Sequence, residues 1–404
     1  MSLRTTLIGA VRAVDAALGR AGGRRRVLIE GRTPMNLVVL EPIWKRLVAD
    51  QRIDVEFTVE EPLALPLLES RGLTSVSRAE ARWRRYDLAI SADPWNAVVL
   101  RRCARRVNVF HGVAGKYDLD SPSKLPLDFR LYDRMLFANE DRMRRYIDAG
   151  VITADRAVLT GFPKMDSLVN GEWRREPVRA SFGLPDGPTV LYAPTFSPAS
   201  SLQTSGEAIV EALLNAGYNV LAKLHDRSMV PTAKYTNNVD WPARLQRFGA
   251  TPRFVLVRDA DVSPCFAAAD VLVTDHSTVG FEFALLDRPV IVFDAPELKE
   301  HARIDSNKWD LLRSMADVVR TPEELVAAVA GALAEPTKLR EARAQARTLF
   351  AYPGHATERS LAAVYELLEL NVARMPAWSE SAASPGVPVA NRLMATGRSP
   401  RSHT

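Results

Sequence analysis

Three of the six histidines directly follow a stretch whose residues predict a buried strand. His111 ends "VNVFHG", His225 ends "NVLAKLH", and His276 lies in "VLVTDHST". A lone histidine at such a place is usually a polar core residue with a satisfied partner. Three at the same topological position favour a functional site instead. His111 is the candidate base, because imidazole titrates near neutrality and can accept a proton from a hydroxyl, and Gly112 lets the backbone approach a ligand closely.

Hydroxyl and basic side chains follow strands in the second half of the sequence. "LYAPTFSPASSL" ends a strand and continues through small hydroxyl residues, including Thr195. Such a loop can wrap a phosphate with backbone N–H groups, although many serine-rich loops only cap a helix. Lys223 and Arg227 flank His225, and these three side chains could supply positive charge to a diphosphate.

The segment "TDHSTVG" joins a buried strand to a predicted helix over residues 279–286. Ser277 and Thr278 stand at the helix start, where free N–H groups and the helix dipole attract anions. Asp275 precedes them, and a carboxylate repels phosphate. We therefore expect Asp275 to orient a histidine or to accept a hydrogen bond from a ribose or glycerol hydroxyl.

The spacing of the residues excludes or weakens several common binding motifs. "HGVAGKY" is too short for a Walker loop and has no Ser or Thr after its lysine. The carboxylate pairs Asp118–Asp120 and Asp259–Asp261 have metal-ligand spacing, but such pairs are common by chance. Cys103 and Cys265 are isolated, without a partner cysteine or a histidine at ligand spacing. The sequence therefore predicts neither a metal site nor a disulfide framework.

Short apolar strands that alternate with helical stretches must position these residues. The first series of strands is predicted at Val27–Glu30, Val55–Val59, Leu88–Ser91, Val107–Phe110, Arg134–Phe137 and Ala157–Thr160. The second is predicted at Thr189–Tyr192, Asn219–Leu224, Phe254–Val257, Val271–Thr274 and Val290–Phe293, with helices in the intervals and from Glu323 to Phe350. This pattern predicts an α/β fold of two doubly wound, Rossmann-like domains facing a cleft, with ligands at the carboxyl ends of the strands.

The domain boundaries follow from changes in composition. The polar segment "VNGEWRREPVRASFGLPDGP" over residues 169–188, rich in Gly and Pro, is predicted to be the interdomain connection. The predicted parts are a basic amphipathic N-terminal segment over residues 1–25, an N-terminal α/β domain over 26–170, a C-terminal α/β domain over 185–350, a helix within 351–372, and a disordered tail over 373–404.

Length and composition are typical of a globular protein with two domains. A chain of 404 residues with 47% hydrophobic and 25% charged residues fits two globular domains, and no stretch predicts a membrane span or signal peptide, so the cytoplasm is the default compartment. The arginines of the N-terminal segment suit either an anionic membrane surface or the protein's own domain. A second basic cluster is predicted to be a solvated helix face, and it consists of Arg101, Arg102, Arg105 and Arg106. Aromatic residues do not interleave with either cluster, which argues against nucleic acid as a partner.

Several motifs together resemble those of the CDP-glycerol glycerophosphotransferase family, the teichoic-acid primases and polymerases. They are "LYAPTF", "KLH", "DVLVTDHSTVGFEFALLDRPVIVF" and "YPGHATERS", with "FHG" and "GFPKMDSL" matching motifs of the family's N-terminal half. The resemblance covers residues 107–360. The chain departs from the family's usual residues at Val113, Ser197, Asp226 and His276.

The resemblance implies a two-domain GT-B fold that acts without a bound metal or other cofactor. It also implies that residues 26–170 form the acceptor-side domain and residues 185–350 the donor-binding domain. It implies transfer of glycerol phosphate from CDP-glycerol to a hydroxyl of a lipid-linked or polymeric cell-envelope acceptor, with release of CMP. His111 then matches a catalytic base, and His225, Asp275, Ser277 and Thr278 match donor-phosphate contacts. The alternatives are a nucleotide-sugar glycosyltransferase of the same fold and a non-catalytic scaffold at the membrane. A lipid-linked acceptor would place the protein on the inner face of the cell membrane.

Overall fold

A computed structural model describes residue 14 and residues 23–92, 94–95 and 97–374. Apart from their inner ends, the predicted N-terminal amphipathic segment and the predicted C-terminal tail lie outside the described residues. Within the described part of the chain, no helix is both long enough and apolar enough to cross a bilayer.

The first half is built on a parallel sheet with the order β2-β1-β3-β4-β5-β6. Apolar runs form its central strands, which are buried on both faces, as in a parallel sheet covered by helices. The strands are β1 Arg25–Gly31, β2 Ile53–Val59, β3 Arg85–Ser91, β4 Arg102–Val109, β5 Arg134–Phe137 and β6 Ala157–Leu159. The helices are α1 Pro34–Ala49, α2 Leu65–Ser70, α3 Arg78–Ala81, α4 Glu140–Asp148 and α5 Asp166–Val169.

The second half contains another parallel sheet, with the order β12-β11-β10-β7-β8-β9. Its strands are β7 Thr189–Tyr192, β8 Asn219–Lys223, β9 Phe254–Val257, β10 Val271–Thr274, β11 Val290–Phe293 and β12 Ala316–Val319. The helices of the remaining chain are α6 Arg175–Phe182, α7 Ser201–Asn215, α8 Ala233–Thr236, α9 Trp241–Leu245, α10 Ser263–Ala268, α11 Thr278–Leu285, α12 Glu297–His301, α13 Ser306–Ser314, α14 Pro322–Ala334, α15 Arg340–Ala344 and α16 Ala356–Leu367.

The predicted α/β pattern is confirmed, with two local corrections and one refinement. Strand β12 was not predicted, because an edge strand with a polar residue and partial burial lacks the apolar run of a central strand. The helices predicted from Glu323 to Phe350 are α14 and α15, and Pro336 lies in the break between them. The arginine cluster is not a helix face. It lies in β4, where Arg105 pairs with Asp133 at 3.1 Å and Arg106 is buried.

The last helix packs against the first half of the chain. In α16, the hydroxyl of Tyr365 donates to Asp50 at 2.7 Å, and Glu366 pairs with Arg134 at 3.0 Å. Arg25 Nε donates to the carbonyl of Leu368 at 2.9 Å. The predicted interdomain connection contains α6, whose Arg175 pairs with Asp270 before β10. The chain therefore crosses between the halves twice.

Each sheet reverses its strand order beside its first strand, between β1 and β3 and between β7 and β10. Loops that leave the carboxyl ends of neighbouring strands diverge at such a point and form a crevice. The segments after β4, β7, β8 and β10 carry the histidines and hydroxyl residues singled out above. These segments meet in one cavity between the halves.

Candidate active site

A cavity of about 700 Å³ lies between the two halves. Six of the predicted site residues line it: His111, Gly112, His225, Arg227, Ser277 and Thr278. They come from the segments after β4, β8 and β10, so the two sheets contribute to one site. The volume is within the range of small-molecule sites.

His111 is held by the main chain of the neighbouring strand exit. Its Nδ1 contacts the carbonyl oxygen of Ala92, just after β3. A carbonyl oxygen only accepts hydrogen bonds, so Nδ1 carries the proton and Nε2 carries the lone pair of the neutral ring. His111 therefore presents a basic nitrogen, as the predicted role of proton acceptor requires.

His225 has the opposite tautomer. Its Nδ1 accepts a hydrogen bond from the backbone N–H of Arg227 at 3.2 Å, which leaves the proton of the neutral ring on Nε2. Burial, and after it the charges of Lys116, Lys223 and Arg227, lower the pKa of His225 well below its usual value. The positive charge expected of this ring from the sequence is therefore missing near neutrality, and His225 is a neutral hydrogen-bond donor.

Asp275 is 2% exposed and organises the loop after β7. One carboxylate oxygen accepts from the N–H groups of Thr195 at 2.9 Å and His276 at 2.7 Å. The other accepts from the N–H and the hydroxyl of Ser201, both at 3.0 Å. We call residues 195–201 and 275–278, held by this carboxylate, the Asp275 shelf. The expectation that Asp275 binds a ligand hydroxyl differs from what the structure shows, because its oxygens are already engaged.

The start of α11 contributes the hydroxyl residues of the shelf. Ser277 occupies the N-cap position, but its side chain makes no capping hydrogen bond. Gly112 of the facing loop has a φ of 74°, and a Cβ atom there would lie 3.2 Å from Oγ1 of Thr278. Only glycine adopts this left-handed conformation and close approach without strain. The loop after β4 therefore closes directly over the helix start.

Three predicted site residues lie behind the cavity wall. Asp275 and Thr195 are buried in the shelf. Lys223 is also buried, and its Nζ donates to the carbonyl of Leu224 at 2.8 Å. The side chain of a strand's last residue can point away from the cleft, and a pattern of residue types does not reveal its direction. Lys223 affects the cavity through its charge and not by lining it.

One wall of the cavity is aromatic and basic, and it was not predicted from the sequence. Phe196 stacks on His225 with ring centroids 4.1 Å apart, and Tyr117 and Tyr235 pack against Phe196 at 6.0 and 5.7 Å. Lys116 faces the same ring. The spacing of this segment excludes a Walker loop, but its place directly after β4 is a signal that predicts Lys116 at the site.

A buried ion pair supports the loop after β4, residues 111–120, which we call the histidine loop. The guanidinium of Arg142 donates to Asp120 at 2.5 Å and to the carbonyl of Gly112 at 2.7 Å. Both side chains are almost fully buried. Because a buried charge without its partner is very unfavourable, this pair fixes the position of the backbone next to His111.

A second buried pair joins the two halves. Lys164 Nζ, in the segment after β6, lies 2.8 Å from a carboxylate oxygen of Glu282 in α11, and both side chains are at most 4% exposed. Within the described part of the chain, no group of three or more His, Cys, Asp or Glu side chains is placed to hold a metal ion.

Comparison with known families gives a match over most of the chain. The model of the family described as CDP-glycerol:poly(glycerophosphate) glycerophosphotransferase matches residues 72–366. Two curated proteins of Bacillus spizizenii are each 25% identical to this chain over shorter stretches. A teichoic acid glycerol-phosphate primase matches 44% of this chain and 46% of its own length, and a teichoic acid poly(ribitol-phosphate) polymerase matches 43% and 28%. The chain thus spans less than half the length of these relatives.

Solved structures with similar folds cover almost the whole chain. A variant of the wall teichoic acid polymerase TagF, soaked with CDPG, has a TM-score of 0.62 and 15% identity, covering 90% of this chain and 93% of the other. MnaA of S. aureus with UDP has a TM-score of 0.56 and 14% identity, covering 87% and 99%. At such identities the likeness establishes the fold alone. The predicted GT-B fold is confirmed.

Proposed function

This chain belongs to the family of CDP-glycerol:poly(glycerophosphate) glycerophosphotransferases, and from that premise we propose that it transfers glycerol phosphate from CDP-glycerol to a hydroxyl of a lipid-linked or polymeric teichoic acid acceptor. CMP is the second product. The observation that carries this proposal is the pair of histidines with opposite tautomers, His111 and His225, in one cavity between the halves.

The two rings suit two different roles in a phosphoryl transfer: one accepts the proton of the attacking hydroxyl, and the other donates a hydrogen bond to the leaving group. The acceptor hydroxyl gives its proton to Nε2 of His111, and its oxygen forms a bond to the phosphorus that carries glycerol. The bond from that phosphorus to the bridging oxygen breaks, and CMP leaves with the electron pair. His225 donates a hydrogen bond from Nε2–H to the departing phosphate. In this mechanism His111 acts only as the base and His225 only as a hydrogen-bond donor, because the main chain fixes the tautomer of each ring.

The remaining groups of the cavity bind the diphosphate. The free N–H groups at the start of α11, the hydroxyls of Ser277 and Thr278, and the guanidinium of Arg227 all provide hydrogen-bond donors. Preorganised donors of this kind stabilise charge that develops in the transition state. Metal-independent transfer is part of the proposal.

The test is CMP release from CDP-glycerol with a teichoic acid primer as acceptor. We expect His111→Ala to lower turnover by at least about 100-fold while donor binding stays within about twofold, because a general base contributes on that scale. His355→Ala is the matched control, since this ring is exposed and does not line the cavity. A His111→Ala variant with normal turnover contradicts the mechanism. Transfer from a UDP-linked or GDP-linked sugar, with no reaction of CDP-glycerol, contradicts the assigned donor.

Binding at the inner face of the cell membrane is part of the same proposal, because a lipid-linked acceptor lies there. The arginine-rich residues 1–25 would provide the attraction to anionic lipid. Flotation of the full chain with liposomes containing anionic lipid, compared with a chain beginning at Arg24, tests this. Equal flotation of the two proteins contradicts the role given to the segment.

A further inference from the structure

Lys116 reaches from the histidine loop of the first half to the shelf of the second. Its Nζ lies 3.4 Å from Oγ1 of Thr195 and 5.5 Å from the ring centroid of Phe196. The hydroxyl of Thr195 in turn donates to the carbonyl of His276 at 2.5 Å. The ammonium therefore sits in the cavity beside the start of α11, on the side opposite its own sheet.

The ammonium of Lys116 is poorly compensated. Among the described residues it forms no ion pair, and its one hydrogen bond is long. Burial lowers the pKa of Lys116 to about 8, although the charge of Asp275 acts in the opposite direction. The oxygens of Asp275 already accept four hydrogen bonds from the shelf. An ammonium with three donors and one long contact is suited to an anionic ligand.

The backbone next to Lys116 is held in an unfavourable conformation. Tyr117 and Asp118 have φ values of 57° and 61°, in the left-handed region that non-glycine residues rarely adopt. Strain of this kind persists only where surrounding contacts enforce it, and it is common at ligand-binding sites. Here the contacts come from the other half of the chain. The N–H of Tyr117 donates to the carbonyl of Ala302 at 2.8 Å, and Arg303 pairs with Asp118 at 2.5 Å.

We propose that Lys116 is a catalytic residue that binds the diphosphate of the nucleotide donor and stabilises the charge on the departing nucleotide. It reaches the donor only when the two halves are closed, because its loop depends on Ala302 and Arg303 of the second half. This inference rests on the proposed function for the chemical step. The assignment of Lys116 as a diphosphate ligand stands independently of which group the nucleotide carries.

The charge of Lys116 gives the proposal a signature that depends on pH. Free protein loses the proton of Lys116 as the pH rises through about 8, and a bound diphosphate keeps that proton in place. Binding at pH 8 to 9.5 is therefore accompanied by proton uptake, and affinity falls by up to about tenfold per pH unit in this range. Asp275, His225 and His276 interact electrostatically with the ammonium. The other titratable and charged groups that line the same cavity are Arg32, His111, Tyr117, Lys164, Arg227, Lys234, Tyr235, Glu282, His301 and Arg303.

The primary experiment is calorimetric binding of CDP, UDP and inorganic pyrophosphate to the full chain at pH 7.0 and 9.0, in two buffers that differ in ionisation enthalpy. We expect Lys116→Met to weaken binding at pH 7.0 by about 10- to 100-fold, the loss expected for a hydrogen bond to a charged group. Lys116→Arg should retain affinity but lose the proton uptake, because a guanidinium stays charged at both pH values. Lys124→Met, at an exposed lysine outside the cavity, is the matched control.

The outcomes separate this inference from the proposed function. If pyrophosphate and CDP binding depend on Lys116 but CDP-glycerol is not turned over, Lys116 is confirmed as a diphosphate ligand and the donor assignment fails. Binding by Lys116→Met that equals the wild type overturns the inference, as does an equal loss in Lys124→Met.

A measurement without ligand distinguishes binding from a structural role. Lys116→Met removes a poorly compensated, partly buried charge, so we expect its melting temperature without ligand to equal or exceed that of the wild type. The rise in melting temperature with CDP should be lost. A lower melting temperature together with an unchanged response to CDP would assign Lys116 a structural role and overturn the inference.

Discussion

The Asp275 shelf and the histidine loop face each other across one cavity. A buried carboxylate holds the shelf, whereas a buried guanidinium holds the loop. In the shelf, a carboxylate collects backbone N–H groups from two strand exits. In the loop, the guanidinium of Arg142 donates to the carbonyl of Gly112 and to Asp120. The shelf is complete within the second half of the chain. The loop needs both halves, because Gly115 and Ala114 accept hydrogen bonds from Asp305 and His276.

The shelf is therefore held by groups of its own half, whereas the histidine loop takes part of its hydrogen bonding from the other half. A carboxylate that binds the N–H groups of its own half keeps the shelf in shape whether or not the halves meet. The histidine loop loses hydrogen bonds from the second half if the halves separate. The proposed base and Lys116 both lie on the loop, so closure of the cavity and assembly of the reacting groups are one event in the proposed mechanism.

The largest effect is expected from breaking the pair under the histidine loop. Arg142→Met leaves the carboxylate of Asp120 buried without its partner, which should lower the free energy of unfolding by about 3–5 kcal/mol. Denaturation in urea measures this loss. Arg144→Met is the control on the same helix, since its pair with Glu140 is exposed and should contribute less than about 1 kcal/mol. Similar losses in both variants would show that the buried pair does not support the loop.

Removing the charge of the shelf should have a smaller effect on stability and a large one on ligand binding. Asp275→Asn turns an acceptor of four hydrogen bonds into an amide whose NH₂ group faces other donors. We expect a loss of about 2–3 kcal/mol in the free energy of unfolding, because hydrogen bonds to charged groups contribute on that scale. The thermal stabilisation by CDP should also be lost. Asp317→Asn, at an exposed pair with Lys338, is the control. Normal CDP binding in Asp275→Asn would contradict the role of the shelf.

The hydrogen bond from His276 to Ala114 connects shelf and loop and makes that connection sensitive to acid. Burial lowers the pKa of His276 to about 4, partly opposed by the bond to the carbonyl of Ala114. The folded pKa lies below the usual value of about 6.5. The unfolded chain therefore binds a proton that the folded chain excludes, and stability is lost as the pH falls from about 6.5 to about 4.

His276→Gln tests that acid sensitivity, because an amide keeps a donor for Ala114 but does not titrate. Between pH 7.5 and pH 5 we expect the wild type to lose about 2 kcal/mol more of its free energy of unfolding than the variant. Urea denaturation at the two pH values measures the difference. His301→Gln is the control, since this ring is exposed. An equal acid loss in the wild type and His276→Gln would contradict the link.

The smallest effect on stability is expected at the surface of the shelf. Ser277 stands at the N-cap of α11 without a side-chain capping bond, so Ser277→Ala should change the free energy of unfolding by less than about 0.5 kcal/mol. The affinity for CDP should fall by about 5- to 10-fold, because the variant lacks one hydroxyl donor to phosphate. Isothermal calorimetry measures this change, and Ser314→Ala, at an exposed serine, is the control. Unchanged affinity would remove Ser277 from the donor site.

Much of the architecture was predictable because it depends on residues close together in the chain. Buried parallel strands need apolar residues throughout, so β7, β10 and β11 were predicted with the bounds that the structure shows. The edge strand β12 was missed, because partial burial permits polar residues and removes that signal. The family motifs likewise lie in single segments, and the sequence carried the resemblance that the family match confirms.

The sequence by itself determined two parallel α/β halves, the strand ends at which functional residues cluster, and the residue types available there. Only the tertiary structure decided which atoms those residues present. The tautomer of His111 is set by a carbonyl 19 positions earlier in the chain, the shelf by a carboxylate 80 positions after Thr195, and the setting of Lys116 by the facing half. Hydrogen bonds and burial fix protonation and charge, and both depend on neighbours in space, which local residue patterns do not specify.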